Sequence, residues 1–109
     1  MLGAGVIAGA WRATTANAPV PSAVGPCTAR SLARAFDGPF ALDAINLFGC
    51  SGRWAYAWAT VGSGVSTVSV TEVFQYDQVA KRWEFASRSR YCHSGLIPSL
   101  VYQRGCFSN

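Results

Sequence analysis

The chain has 109 residues, half of them hydrophobic and 13% charged, with nine Lys and Arg against five acids for a net charge of +4. That length allows one domain, and the low charge and high apolar share exclude a disordered chain. A charge this modest falls short of the basic field of a nucleic-acid binder, although it suits contact with anionic lipid or wall polymer.

Residues 1–18 open the chain. Met1 to Trp11 is apolar and uncharged. A stretch of about ten apolar residues is too short to cross a bilayer, which needs roughly 20, but it is the size of a signal-peptide core. Ala16-Asn17-Ala18 has the A-x-A form of a signal-peptidase site. The positively charged n-region is missing, and Pro19 occupies the unfavourable position after the cut. Residues 1–18 are therefore read as a signal-peptide-like or anchor segment, with peripheral membrane contact through residues 1–11. The plainer alternative is a short buried helix of the domain. Residues 19–26, with Pro19, Pro21, Gly25 and Pro26, read as an extended linker.

Residues 27–109 form the expected domain. Thr28 is placed to cap a helix in which Ala29, Leu32, Ala33 and Phe36 share one face and Arg30 and Arg34 another. Gly38-Pro39 stops it. A first strand is expected over Ala44 to Gly49, then a turn at Cys50-Ser51-Gly52-Arg53. Trp54 to Val61 alternates strictly: Trp54, Tyr56, Trp58 and Thr60 point one way, Ala55, Ala57, Ala59 and Val61 the other. Gly62-Ser63-Gly64 makes a hairpin connection. Val65 to Tyr76 is a long Val- and Thr-rich strand with Val68, Val70, Phe74 and Tyr76 on its apolar face and Glu72 as the exception. After a loop over Asp77 to Lys81, Arg82 to Arg88 is a further strand, with Trp83 and Phe85 opposite Glu84, Ala86 and Arg88. Pro98 opens a short closing helix that Gly105 ends. The fold class is α+β: a short N-terminal helix, an antiparallel meander of three to four strands and a short C-terminal helix, with the helices expected together on one face of the sheet.

Four cysteines with no C-x-x-C spacing, and a single histidine, argue against zinc and for disulfides made in an oxidising compartment. Sequential pairing, Cys27 with Cys50 and Cys92 with Cys106, is preferred because each bond closes a short local loop. Pairing of Cys27 with Cys92 or Cys106, which would tie the termini together, is the alternative.

The candidate binding residues are Trp54, Tyr56 and Trp58, a stripe able to stack on sugar rings or peptides, and Arg82, Arg88 and Arg90, a basic cluster able to meet phosphate groups. Each has a plainer reading: the stripe as core beneath the helices, the arginines as a charged edge that discourages strand-to-strand association. Trp83 and Phe85 would extend the aromatic face through cross-strand pairs. His93 lies beside Cys92 and Ser94 without an orienting acid or a G-x-S-x-G motif, so it reads as a surface residue. No motif calls for a metal or cofactor, and nothing points to an enzyme.

From Cys27 onward the layout resembles small uncharacterised exported proteins of actinobacteria. The resemblance rests on Cys27 heading an Ala/Arg/Leu helix, on Cys50-Ser51-Gly52-Arg53-Trp54-Ala55-Tyr56-Ala57, on Phe74-Gln75-Tyr76-Asp77 with Arg82-Trp83-Glu84, and on Tyr91-Cys92 with the closing Pro98 to Cys106 segment. It implies export and a compact disulfide-bonded domain, sometimes tethered to the membrane, and supplies no catalytic residues. The reading is a non-catalytic secreted or cell-envelope domain that binds another macromolecule, protein or envelope polymer and not nucleic acid. An accessory subunit of a membrane or envelope assembly and a secreted enzyme inhibitor are the alternatives.

Overall fold

A computed structural model describes residues 12–13, 24–36 and 41–107. The expected linker therefore falls largely outside the described residues, as does the leader except for Arg12 and Ala13. Strands β2 (Leu42–Ser51), β3 (Trp54–Ser63), β4 (Ser66–Asp77) and β5 (Arg82–Ala86) form an antiparallel meander. A two-residue strand β1 (Arg12–Ala13) pairs in parallel with Ala44 and Ile45 at the outer side of β2, giving the order β1-β2-β3-β4-β5. The helices are α1 (Ala29–Ala33), α2 (Arg88–Tyr91) and α3 (Ser99–Gly105).

Helix α1 begins where the sequence placed it. Thr28 Oγ1 accepts the Ser31 N–H at 3.0 Å, and Ser31 Oγ accepts the Thr28 N–H at 3.3 Å. This capping box satisfies two N–H groups that a helix start otherwise leaves without partners. The helix is shorter than its apolar pattern, because a turn at Arg34 and Ala35 follows Ala33, with the Ala35 and Phe36 N–H groups donating to the Leu32 and Ala33 carbonyls.

The disulfides are Cys27–Cys50 and Cys92–Cys106, so the sequential pairing holds. The first ties the start of α1 to the end of β2. The second joins the ends of α2 and α3. Helices of five, four and seven residues could not hold these covers in place alone, since isolated helices below about 12 residues are marginal in water.

The helices do not share one face, as the sequence pattern had implied. Leu32 of α1 packs with Ile45, Phe48, Ala55, Ala57, Ala59, Phe74 and Trp83 on one side of the sheet. Val101 of α3 and Ile97 pack with Tyr56, Val73 and Ala86 on the other. The fold is α+β with three layers: α1, the sheet, then α2 and α3. The reason lies in the alternation of β3. Its small alanines let α1 and the large rings of Phe74 and Trp83 close down on one face, while its aromatics face the other.

Strand β5 also ends earlier than expected. Ser87 leaves the strand, its Oγ accepts the Arg90 N–H at 3.3 Å, and the chain turns into α2. A Ser hydroxyl offers the backbone an alternative to the sheet ladder, and β-sheet alternation over Arg82 to Ala86 carries no sign of where that competition wins.

Candidate functional site

The Trp54/Tyr56/Trp58 stripe lies beneath α2 and α3. Tyr56 is fully buried, and Trp54 and Trp58 are half-buried. Trp58 Nε1 donates to the Arg104 carbonyl of α3 at 2.7 Å. Trp54 meets Tyr91 of α2 edge to face, with ring centroids 5.0 Å apart. Tyr56 sits between two glycines. A Cβ on Gly49 would lie 2.8 Å from its Cε1, and a Cβ on Gly105 would lie 3.0 Å from its Cβ and 2.8 Å from Val73 Cγ2. Gly105 thus permits α3 to lie directly on the sheet. Burial raises the Tyr56 phenol above its ordinary value, and nearby Arg104 partly offsets this. Its hydroxyl has no hydrogen-bond partner among the described residues.

Trp83 and Phe85 do not extend this stripe. The register pairs Tyr76 with Trp83 and Phe74 with Phe85, and Phe74 lies on the α1 side. Trp83 is buried there, and its Nε1 donates to the Pro26 carbonyl at 2.9 Å. Phe85 remains 47% exposed, stacked edge-on against Phe36 at 5.0 Å. It is the aromatic of this group that solvent reaches most freely.

The three arginines have three different settings. Arg82 is exposed and its Nε contacts Glu84 Oε2 at 3.3 Å, a surface pair worth little. Arg88 turns back toward the sheet, where Nη1 donates to the Thr71 carbonyl at 3.3 Å and its charge opposes the rise that burial causes in the Glu72 carboxyl. Arg90 is exposed, its guanidinium 5.3 Å from the Tyr91 ring centroid. Arg82 and Arg90 are therefore available to a ligand, whereas Arg88 serves the junction between β5 and α2. Sequence reading could not separate them, since it depends on where β5 stops.

Beside β5 lies an open cleft of about 210 Å³ lined by Gln75, Tyr76, Asp77, Glu84 and Phe85. Asp77 Oδ1 accepts the N–H groups of Val79 and Ala80 at 2.9 and 3.1 Å, which holds its carboxyl below the ordinary value and shapes the β4–β5 turn. His93 is not in this lining. It is exposed, with Nε2 3.3 Å from the Ser89 carbonyl. Among the described residues no three His, Cys, Asp or Glu side chains gather as a metal site, and no helix is long and apolar enough to cross a membrane.

Comparison of the chain with protein-family models, with curated proteins and with solved structures finds no match. The readings of function therefore rest on the residues themselves.

Proposed function

We propose that this is a non-catalytic extracytoplasmic domain, secreted or held at the cell envelope, that works by binding another macromolecule, a protein or an envelope polymer. The observation that supports this best is the pair of disulfides, one on each side of so small a sheet. Such crosslinks form and persist in oxidising compartments, and a rigid framework lowers the entropy lost on binding. With the Trp54/Tyr56/Trp58 stripe under α2 and α3, the surface put forward for the partner is the outer rim of β5 and α2. Arg82, Phe85 and Arg90 are among its exposed side chains. Arg and aromatic residues are the types enriched at the centres of interfaces.

The test is affinity capture from native envelope extract, comparing the wild-type domain with an Arg82→Ala/Phe85→Ala/Arg90→Ala variant. Partner recovery is expected to fall at least about tenfold in the variant, the effect of losing about 1.4 kcal/mol of binding. Equal recovery by both removes this rim from the proposal. Four alkylatable thiols in unreduced native protein would remove the extracytoplasmic setting.

A further inference from the structure

Strand β4 is longer than the strand that covers it. It runs from Ser66 to Asp77 and pairs with β3 along most of its length, but β5 pairs only with Val73 to Asp77. The half from Ser66 to Thr71 has no strand on its outer side among the described residues. Ser66 to Ser69 are all exposed, and Val68 is 59% exposed.

The direction of the backbone groups along this half is set by its contacts. The Tyr76 N–H donates to the Arg53 carbonyl at the start of β3, whereas the Asp77 carbonyl accepts Lys81 from the β5 side. The Thr71 carbonyl likewise accepts Arg88 from the β5 side. In a strand the N–H and C=O of one residue point the same way and alternate along the chain. Thr67 and Ser69 therefore turn their N–H and C=O outward, past the end of β5.

An edge of this kind is a template for another strand, and proteins usually blunt it with charge, proline or a bulge. The β5 edge carries Arg82 and Glu84, with Lys81 in the turn before it. Ser66-Thr67-Val68-Ser69-Val70-Thr71 carries no charge, proline or glycine, and its composition is strongly β-forming.

We propose that this overhang is a self-association edge, where β4 of one copy pairs antiparallel with β4 of a second copy about a two-fold axis at Val68. Self-complementarity argues for a second copy as the occupant. In that register Thr67 of one chain and Ser69 of the other face each other as hydrogen-bonded pairs, twice by symmetry. Val68 meets Val68 as the intervening pair, in which side chains lie closest. Ser66 faces Val70. No charged residue meets another across the contact, and the Thr71 carbonyl keeps its bond to Arg88. The sheets of the two copies become continuous, and the contact is isologous, so it closes at two. It leaves the β5 and α2 rim open and does not depend on the function proposed for that rim.

The test is sedimentation equilibrium of the full chain up to about 1 mM, since an edge contact below the standard interface size is weak. The weight-average mass is expected to climb with concentration toward twice the monomer mass. Ser69→Pro removes an outward N–H without touching the β3 side, and Val68→Lys sets like charges against each other at the axis. Each is expected to raise the dimer dissociation constant at least about tenfold, with far-UV circular dichroism showing the fold retained. Val68→Cys should give a covalent dimer on oxidation, while Val79→Cys, 93% exposed in the native chain on the β4–β5 turn, should not. A wild-type chain that stays monomeric throughout, or a dimer that survives both Ser69→Pro and Val68→Lys, overturns the proposal. A monomer that instead pairs this edge with a different protein overturns it equally.

Discussion

Replacing Cys92 and Cys106 together by alanine should loosen the cover over the aromatic stripe while leaving the Cys27–Cys50 bond in place. The two sulfurs are separated by 14 positions, and the chain-entropy model assigns a closed loop of about 15 residues roughly 3 kcal/mol of stability. Against a total of about 5–15 kcal/mol for a domain, that loss is large. The same segment is also held by packing: Ile97, Val101 and Gly105 are buried, and Trp58 Nε1 bonds the Arg104 carbonyl. The variant should therefore fold, with a lowered urea midpoint and an m-value equal to or slightly above the native one, because the freed unfolded chain exposes more surface. Trp54 and Trp58 lie under this cover and Trp83 under the other, so tryptophan fluorescence should unfold in step with far-UV circular dichroism. A cost below about 1 kcal/mol would refute the reasoning, because packing alone would then hold α2 and α3. A fluorescence change well ahead of the circular dichroism would refute it differently, by showing the cover to be a separate unit.

Three further outcomes follow from single side chains. Tyr56→Phe should leave stability unchanged or raise it by up to about 1 kcal/mol in urea titrations, since it deletes a buried hydroxyl without a partner among the described residues; a loss above about 1 kcal/mol would reveal a bonded one. Gly105→Ala should cost about 1–3 kcal/mol despite alanine's better helix propensity, because the new methyl meets Val73 and Tyr56; a raised melting temperature would contradict that close approach. Glu72→Gln should flatten the fall in melting temperature with rising pH. Burial raises the folded-state pKa of Glu72 above its ordinary 4.5, so the native chain holds that proton longer. The stability it contributes is present below the unfolded value and lost as pH rises through the folded one. Asp77 is shifted the other way and loses its contribution only as pH falls, so scans started near pH 5 leave Asp77 out of the slope, and the difference between native and Gln variant reports Glu72. An identical slope in the Gln variant would assign the effect elsewhere.

The chain's local rules were open to inspection, and they explain which features of the fold could be read in advance. A period of two placed Ala55, Ala57 and Ala59 opposite Trp54, Tyr56 and Trp58. Thr28 announced a helix start, and Asp77 to Lys81 a turn. The cysteine spacing favoured two local loops, which is the pairing observed. Each of these depends on residues close in sequence, so propensity, capping and loop closure decide it. The candidate site was less legible. Arg82, Arg88 and Arg90 look equivalent as letters, yet Arg88 is drawn to the Thr71 carbonyl because β5 stops at Ala86 and Ser87 starts a helix.

By itself the sequence determined the four meander strands, the starts of α1 and α3, the alternating faces and a preference for the covalent framework observed, but neither β1 nor α2. Tertiary structure alone decided how those faces were shared out. The register between β4 and β5 carried Trp83 and Phe85 to the α1 side, away from the stripe they were expected to extend. The placement of α1 and α3 on opposite faces made the aromatic stripe an interior layer. The shortness of β5 left half of β4 without a neighbour. The physical reason is the same in each case. Alternation along a strand is a local property of the backbone, but which face meets the core is settled by how strands and helices pair and pack, where one residue of offset exchanges inside for outside.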